Sequence, residues 1–191
     1  MNNWSAKIAT ICECIDHCFA FIVWCDDFAR FVDQDDIVWG LDRGFDLVSD
    51  ATRLHSFLDL RKLDDIFGGA ELKPDDLVAL GLGLDVSGML DEVGESFLTS
   101  TERVAINKGV AHLTDRLSLD TDSEVALDEI VKRSIPVFSR LVTELRKNDT
   151  AHEATHWLDR TEKLIQRVNA LWIAEDQMSA SSALLPLTNK T

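Results

Sequence analysis

Positive charge is in short supply in this chain: 19 Lys and Arg stand against 34 Asp and Glu, for a formal net charge of −15 and a pI near 4.6. That balance disfavours nonspecific binding to nucleic acid or to an anionic membrane, since both demand Lys and Arg against phosphate. It leaves room for a local basic site, or for one assembled across a dimer. Long apolar runs are missing, so no membrane span is expected. No basic stretch precedes an apolar one at the N-terminus, so no signal peptide is expected either. Cysteine is confined to one short segment: Cys12, Cys14, Cys18 and Cys25. A disulfide framework spreads its cysteines over the fold, and this set follows the apolar seam of Ile11, Ile15 and Ile22 instead. Reduced core thiols in a cytoplasmic protein are the expectation. A metal site made from them with His17 lacks a second ligand cluster to complete it.

Glycine and proline are also scarce where it matters. Neither occurs between Met1 and Trp39, and Ile8, Ile11, Ile15, Phe19, Ile22, Phe28 and Phe31 recur at helical spacing. One long amphipathic helix to about Val32 follows. Asp33 to Asp36 break it. A second helix is expected over about Ile37–Leu60, with Phe45, Val48, Thr52, Leu54 or His55, and Leu58 on its apolar face. Gly68-Gly69 stops the chain, and Pro74 starts a short helix. The run GLGLDVSG, Gly81 to Gly88, has no Lys-Ser/Thr after it and no strand before it. It reads as a flexible connector, not a phosphate loop. Further helices are expected over Leu90–Ala111, from an Asp122-Ser123 cap to about Lys147 with a kink at Pro136, and over Ala151–Met178. No set of alternating strands is present. With 191 residues and 46% hydrophobic residues, the chain is long and apolar enough for one globular core. The expected fold is all-α, a bundle of long helices with no sheet: one domain over residues 1–178 and a frayed tail over 179–191.

The stretch AHEATHWLD spells HExxH at His152-Glu153-Ala154-Thr155-His156. On a helix this places two zinc ligands on one face, with Glu as general base. Thr150 and Glu153, however, have the spacing of a capping box, which gives the Glu a structural task. The apolar stripe of this helix runs through Ala154, Leu158, Thr161, Ile165, Val168 and Trp172, and both histidines fall roughly opposite it. Glu175 and Asp176 are the tempting third ligands. A straight helix holds Glu175 about 28 Å from His156, so it cannot close the same site. A zinc hydrolase is the weakest of three readings. No cofactor and no structural or catalytic metal is expected.

A second stretch, ERVAINKGVAHLTDRL from Glu102 to Leu117, resembles the signature of the HEPN superfamily, all-α proteins of prokaryotic toxin and phage-defence systems. That signature is Arg, a polar residue, three variable residues, then His. The matching hexad is Asn107-Lys108-Gly109-Val110-Ala111-His112. Phe45 through Asp59 resembles the second helix of the abortive-infection branch. There, as with Pro74 to Leu84, a short Leu-rich helix follows before the His motif and a long closing helix. Order and spacing agree over Ile8 to Leu145. The resemblance implies metal-independent RNA cleavage by a homodimer. His112 would serve as general acid or base, Lys108 as the polar residue, and the Arg would stabilise charge on the phosphorane. Position 107 is Asn, which brings no positive charge to the phosphate. Arg103, Lys108 and Arg116 are the nearby candidates to supply it. The chain has no Tyr, so the chemistry of the subgroup with a Tyr after the His does not transfer. Apart from the resemblance, His112 reads as a helix-end histidine that caps carbonyls or meets Asp115. Two functions compete: a ribonuclease with a weakened motif, and a catalytically degenerate acidic module that binds a protein partner.

Overall fold

The computed structural model describes residues 3–31, 39–68, 82–90, 96–111 and 127–183. The described residues form six helices and no strand: α1 (Asn3–Phe31), α2 (Trp39–Ile66), α3 (Val86–Leu90), α4 (Ser100–Ala111), α5 (Leu127–Asn148) and α6 (Thr155–Ala183). None is long and apolar enough to cross a membrane.

The reason α1 is the centre of the bundle lies in its seam. Ile8, Ile11, Ile15 and Phe19 are fully buried, with Cys12 and Cys18 beside them. α2, α6 and α5 pack around that seam. α5 is the most cleanly amphipathic helix. Ile130, Val131, Phe138, Leu141, Val142 and Leu145 recur at 3.6-residue spacing and are all buried. Phe138 meets Phe19 edge-to-face at 5.7 Å and Phe97 at the same separation. Pro136 sits within α5 on its exposed face, so the hydrogen bond it cannot donate is lost on the solvent side. The expected stripe of α6 is buried in full, from Ala154 to Trp172. Thr161 is tolerated within it because its hydroxyl donates to Asp16 Oδ1 of α1 at 2.8 Å.

Several elements differ from the sequence expectation. α2 continues past Leu60 to Ile66 and ends at Gly68, whose φ of +87° is a left-handed cap. Its buried face carries Ser56, Asp59, Leu60, Leu63 and Phe67, whereas Leu54 and Leu58 are half-buried and His55 is exposed. Buried polar groups displaced the leucines because each has partners: Ser56 Oγ lies 2.8 Å from the His17 carbonyl and 2.9 Å from that of Thr52. The expected connector contains α3, whose first turn is capped by Asp85 Oδ1 accepting from the Gly88 amide at 3.2 Å. α4 begins at Ser100 and not Leu90, since Thr99 and Glu102 form a capping box there. The Glu102 amide donates to Thr99 Oγ1 at 3.2 Å, and the Thr99 amide donates to Glu102 Oε2 at 2.8 Å. α6 runs past the helix end expected near Met178 to Ala183. The expected Pro74 helix and the Asp122-Ser123 cap lie outside the described residues.

The start of α6 corrects the reading of HExxH. Thr150 and Glu153 do not cap one another. The buried Asp149 carboxylate takes the Glu153 and Ala154 amides, each at 3.1 Å. An anionic acceptor with two oxygens serves two amides at a helix N-terminus, where negative charge is favoured; a Thr hydroxyl serves one. His152 therefore sits before the helix in a left-handed conformation, φ +56°. Only His156 belongs to α6, so the two histidines do not occupy successive turns of one helical face.

Candidate functional site

The residues expected to do chemistry on α4 are only partly brought together. Arg103 and Asn107 stand one turn apart on α4, and with Arg61, Asp64 and Asp65 of α2 they line a small cleft. Asn107 is exposed. Arg103 is held by a carboxylate of α2. Its Nε donates to Asp64 Oδ2 at 2.5 Å and its Nη2 to Asp64 Oδ1 at 2.9 Å. Asp64 is buried and also accepts from the Leu98 amide at 3.2 Å. Two arginines and two aspartates line the cleft, so their formal charges cancel. Lys108 falls on α4 but its side chain lies outside the described residues, as do His112 and Arg116. The chemistry assigned to the motif is therefore represented here by Asn107 and Arg103 alone.

A second cluster, which the sequence reading did not assemble, lies between α1 and α2. His17 comes from α1, and His55 and Asp59 stand at i and i+4 on α2. His17 Nδ1 donates to Asp59 Oδ2 at 2.8 Å, and His55 Nε2 lies 3.2 Å from the same oxygen. The two imidazole rings are 4.2 Å apart, tilted by 43°. The other Asp59 oxygen, Oδ1, accepts from Lys62 Nζ at 2.5 Å and from Cys14 Sγ at 3.5 Å. Burial of a carboxylate demands such partners. In return, the Asp59 carboxylate holds the Lys62 ammonium above its ordinary value. The Asp59 side chain is 1% exposed, while those of His17 and His55 are 41% and 53% exposed, so the cluster opens to solvent on its histidine side. The signal was present in the sequence as Cys14-x-x-His17 on one helix and His55-x-x-x-Asp59 on the next.

This cluster has no activated thiol. Burial pushes the Cys14 thiol up to about 12, and the neighbouring Asp59 charge pushes the same way. Burial likewise raises Cys12 to about 11 and Cys18 well above its ordinary value. All three are free and buried, and a protonated buried thiol is a poor nucleophile. The side chain of Cys25 lies outside the described residues. What the cluster offers is a pair of accessible imidazoles fixed against one buried carboxylate. Of the described His, Cys, Asp and Glu residues, His17, His55 and Asp59 are the group whose ligand atoms converge closely enough for a metal ion.

No family model, no curated protein and no solved structure matches this chain.

Proposed function

We propose that the chain is a HEPN-like helical module of a prokaryotic defence or toxin system that acts by binding a protein partner, its ribonuclease motif being too weak to cleave RNA. The observation that supports this reading most is the engagement of Arg103. With Asn at position 107, a neighbouring guanidinium has to supply the charge that stabilises the phosphorane. Arg103 is the described candidate, and its Nε and Nη2 are already bonded to a buried carboxylate, which offsets its charge. Other cations follow the same pattern: Arg133 is paired with Glu102, and Arg146 with Asp159 and Glu162. An acidic chain that pairs these described arginines with its own carboxylates offers little of their charge to phosphate. A partner with a basic surface suits it better.

The second reading is a metal-independent ribonuclease acting as a homodimer, with His112 as general acid or base and Asn107 and Lys108 beside it. It draws support from exposed Asn107 and Arg61 lining one cleft. Labelled RNA incubated with wild type, His112→Ala and Asn107→Arg, with and without EDTA, separates the two. The binding reading expects no cleavage by wild type or His112→Ala. Cleavage by wild type that survives EDTA and disappears in His112→Ala overturns it in favour of the ribonuclease. Gain of cleavage in Asn107→Arg alone identifies the missing guanidinium as what silenced the motif. Light scattering then tests the homodimer.

A further inference from the structure

We propose that His17, His55 and Asp59 form a binding site for one divalent transition-metal ion, with zinc the best fit. Three donors converge from two helices packed directly on one another, α1 and α2. Their ligand atoms lie within 4.8 Å of each other, with His17 Nδ1 and His55 Nε2 at 2.8 Å and 3.2 Å from one Asp59 oxygen. In a tetrahedral zinc site with bonds of about 2.0–2.1 Å, neighbouring ligand atoms stand about 3.3 Å apart. Adjustments in ligand-atom spacing of a few tenths of an ångström up to about 1.5 Å separate the present arrangement from that geometry.

The plain alternative is a hydrogen-bonded triad that satisfies a buried carboxylate. It accounts for His17 at 2.8 Å more fully than for the exposed His55 at 3.2 Å. Asp59 already has His17 on Oδ2, and Lys62 and Cys14 on Oδ1. A second imidazole, more than half exposed, adds a fourth contact to a carboxylate that three groups already hold. It also brings the two rings to 4.2 Å of one another beside the same oxygen. One divalent ion accounts for the whole arrangement, because it takes the lone pairs of two imidazoles and one carboxylate oxygen together.

The donor set narrows the ion. Two imidazole nitrogens and one carboxylate suit zinc and its neighbours, whereas magnesium and calcium take oxygen ligands. Lys62 and Cys14 hold the far carboxylate oxygen, which fixes the orientation of the near one. Cys14 is not itself a ligand, because its sulfur faces Oδ1 and the histidines meet Oδ2. The exposed histidine edges give an ion its entry path and leave a fourth position for water. HExxH has no part in this site.

The test is equilibrium dialysis of the untagged full chain against zinc, followed by metal quantification, for wild type, His17→Gln, His55→Ala and a His152→Ala/His156→Ala control. Wild type and control should each hold one zinc per chain. Affinity should fall roughly a hundredfold or more in His17→Gln and His55→Ala, since even the loss of an outer-sphere partner costs ten- to a hundredfold. His17→Gln keeps an amide donor for Asp59, so it separates lost ligation from lost structure. Zinc should raise the thermal midpoint of wild type and leave both site variants unmoved. Cobalt(II) in place of zinc should give visible bands without sulfur-to-metal charge transfer. Absence of bound zinc in wild type overturns the proposal. So does undiminished binding in the two site variants, or loss of zinc in the control.

Discussion

Arg103 and Asp64 are joined by two parallel hydrogen bonds, Nε to Oδ2 and Nη2 to Oδ1, that tie α4 to α2. The Asp64 side chain is 4% exposed and that of Arg103 30% exposed, so the pair is half in solvent on one side only. Truncation of the arginine leaves a buried charge with a single remaining donor, the Leu98 amide. Arg103→Ala should therefore cost about 2–3 kcal/mol, below the range for fully buried pairs because the guanidinium keeps water contact. Arg103→Lys should recover only part of the loss, since an ammonium cannot reproduce the fork. The double variant Asp64→Leu/Arg103→Met should lose less than Arg103→Ala alone. Urea unfolding of the four chains measures this. A double variant less stable than Arg103→Ala would mean that the pair contributes net stability, contrary to the argument.

The entry to α6 makes a sharper test, because two caps were available and one is used. Asp149→Ala should cost about 1–2 kcal/mol, since its carboxylate serves two amides and one of them is buried. Thr150→Ala, at an exposed position without a capping bond, should stay within about 0.5 kcal/mol of wild type. His152→Gly should cost nothing or gain up to about 1 kcal/mol by relieving the left-handed backbone, and His152→Val should be destabilising. Thermal unfolding ranks the four. The reverse order for Asp149 and Thr150 would restore the capping box as the true helix start.

How much of this was readable beforehand depended on the kind of residue. The α6 stripe and the Ile8–Phe19 seam of α1 were legible because they are apolar, uninterrupted and held by one period. The buried face of α2 was not, because Ser56, Asp59 and Asp64 look like solvent residues until their partners on α1 and α4 are in view. A face through Leu54 and Leu58 leaves Asp59 outside it, and the alternative through His55, one turn before Asp59, has no apolar residue at 59 to mark it. The Thr99–Glu102 box has the same S/T-x-x-E spacing as Thr150–Glu153, yet one forms and the other does not. Asp149, one residue earlier than Thr150, outcompeted it at α6. Whether Arg103 could supply the charge absent at Asn107 was not readable, because it depends on Asp64, 39 residues away in sequence.

Glu102 carries the pH dependence that follows most directly from the structure. Burial pushes its carboxyl up, but Arg133 and Thr99 outweigh burial and the net direction is down from its ordinary value of 4.5. Arg133 reaches it with Nη1 to Oε1 at 2.5 Å and Nη2 to Oε2 at 2.6 Å, tying α4 to α5. Oε2 also accepts from the Thr99 amide at 2.8 Å and the Thr99 hydroxyl at 2.9 Å. A carboxylate whose folded value is depressed contributes stability that is fully present above its unfolded value and is lost as pH falls through the folded one. Glu102→Gln, which keeps the shape and removes the charge, should therefore be less stable than wild type by about 1–3 kcal/mol at neutral pH. The gap should narrow as the pH drops below 4.5 and close once the wild-type carboxyl is protonated in both states. Arg133→Met should show the same narrowing, because it removes the partner that holds the charge. Urea unfolding of the three chains from neutral pH into the acid range reads the gap directly. A gap that stays constant across that range would mean that Glu102 acts through shape and not through charge.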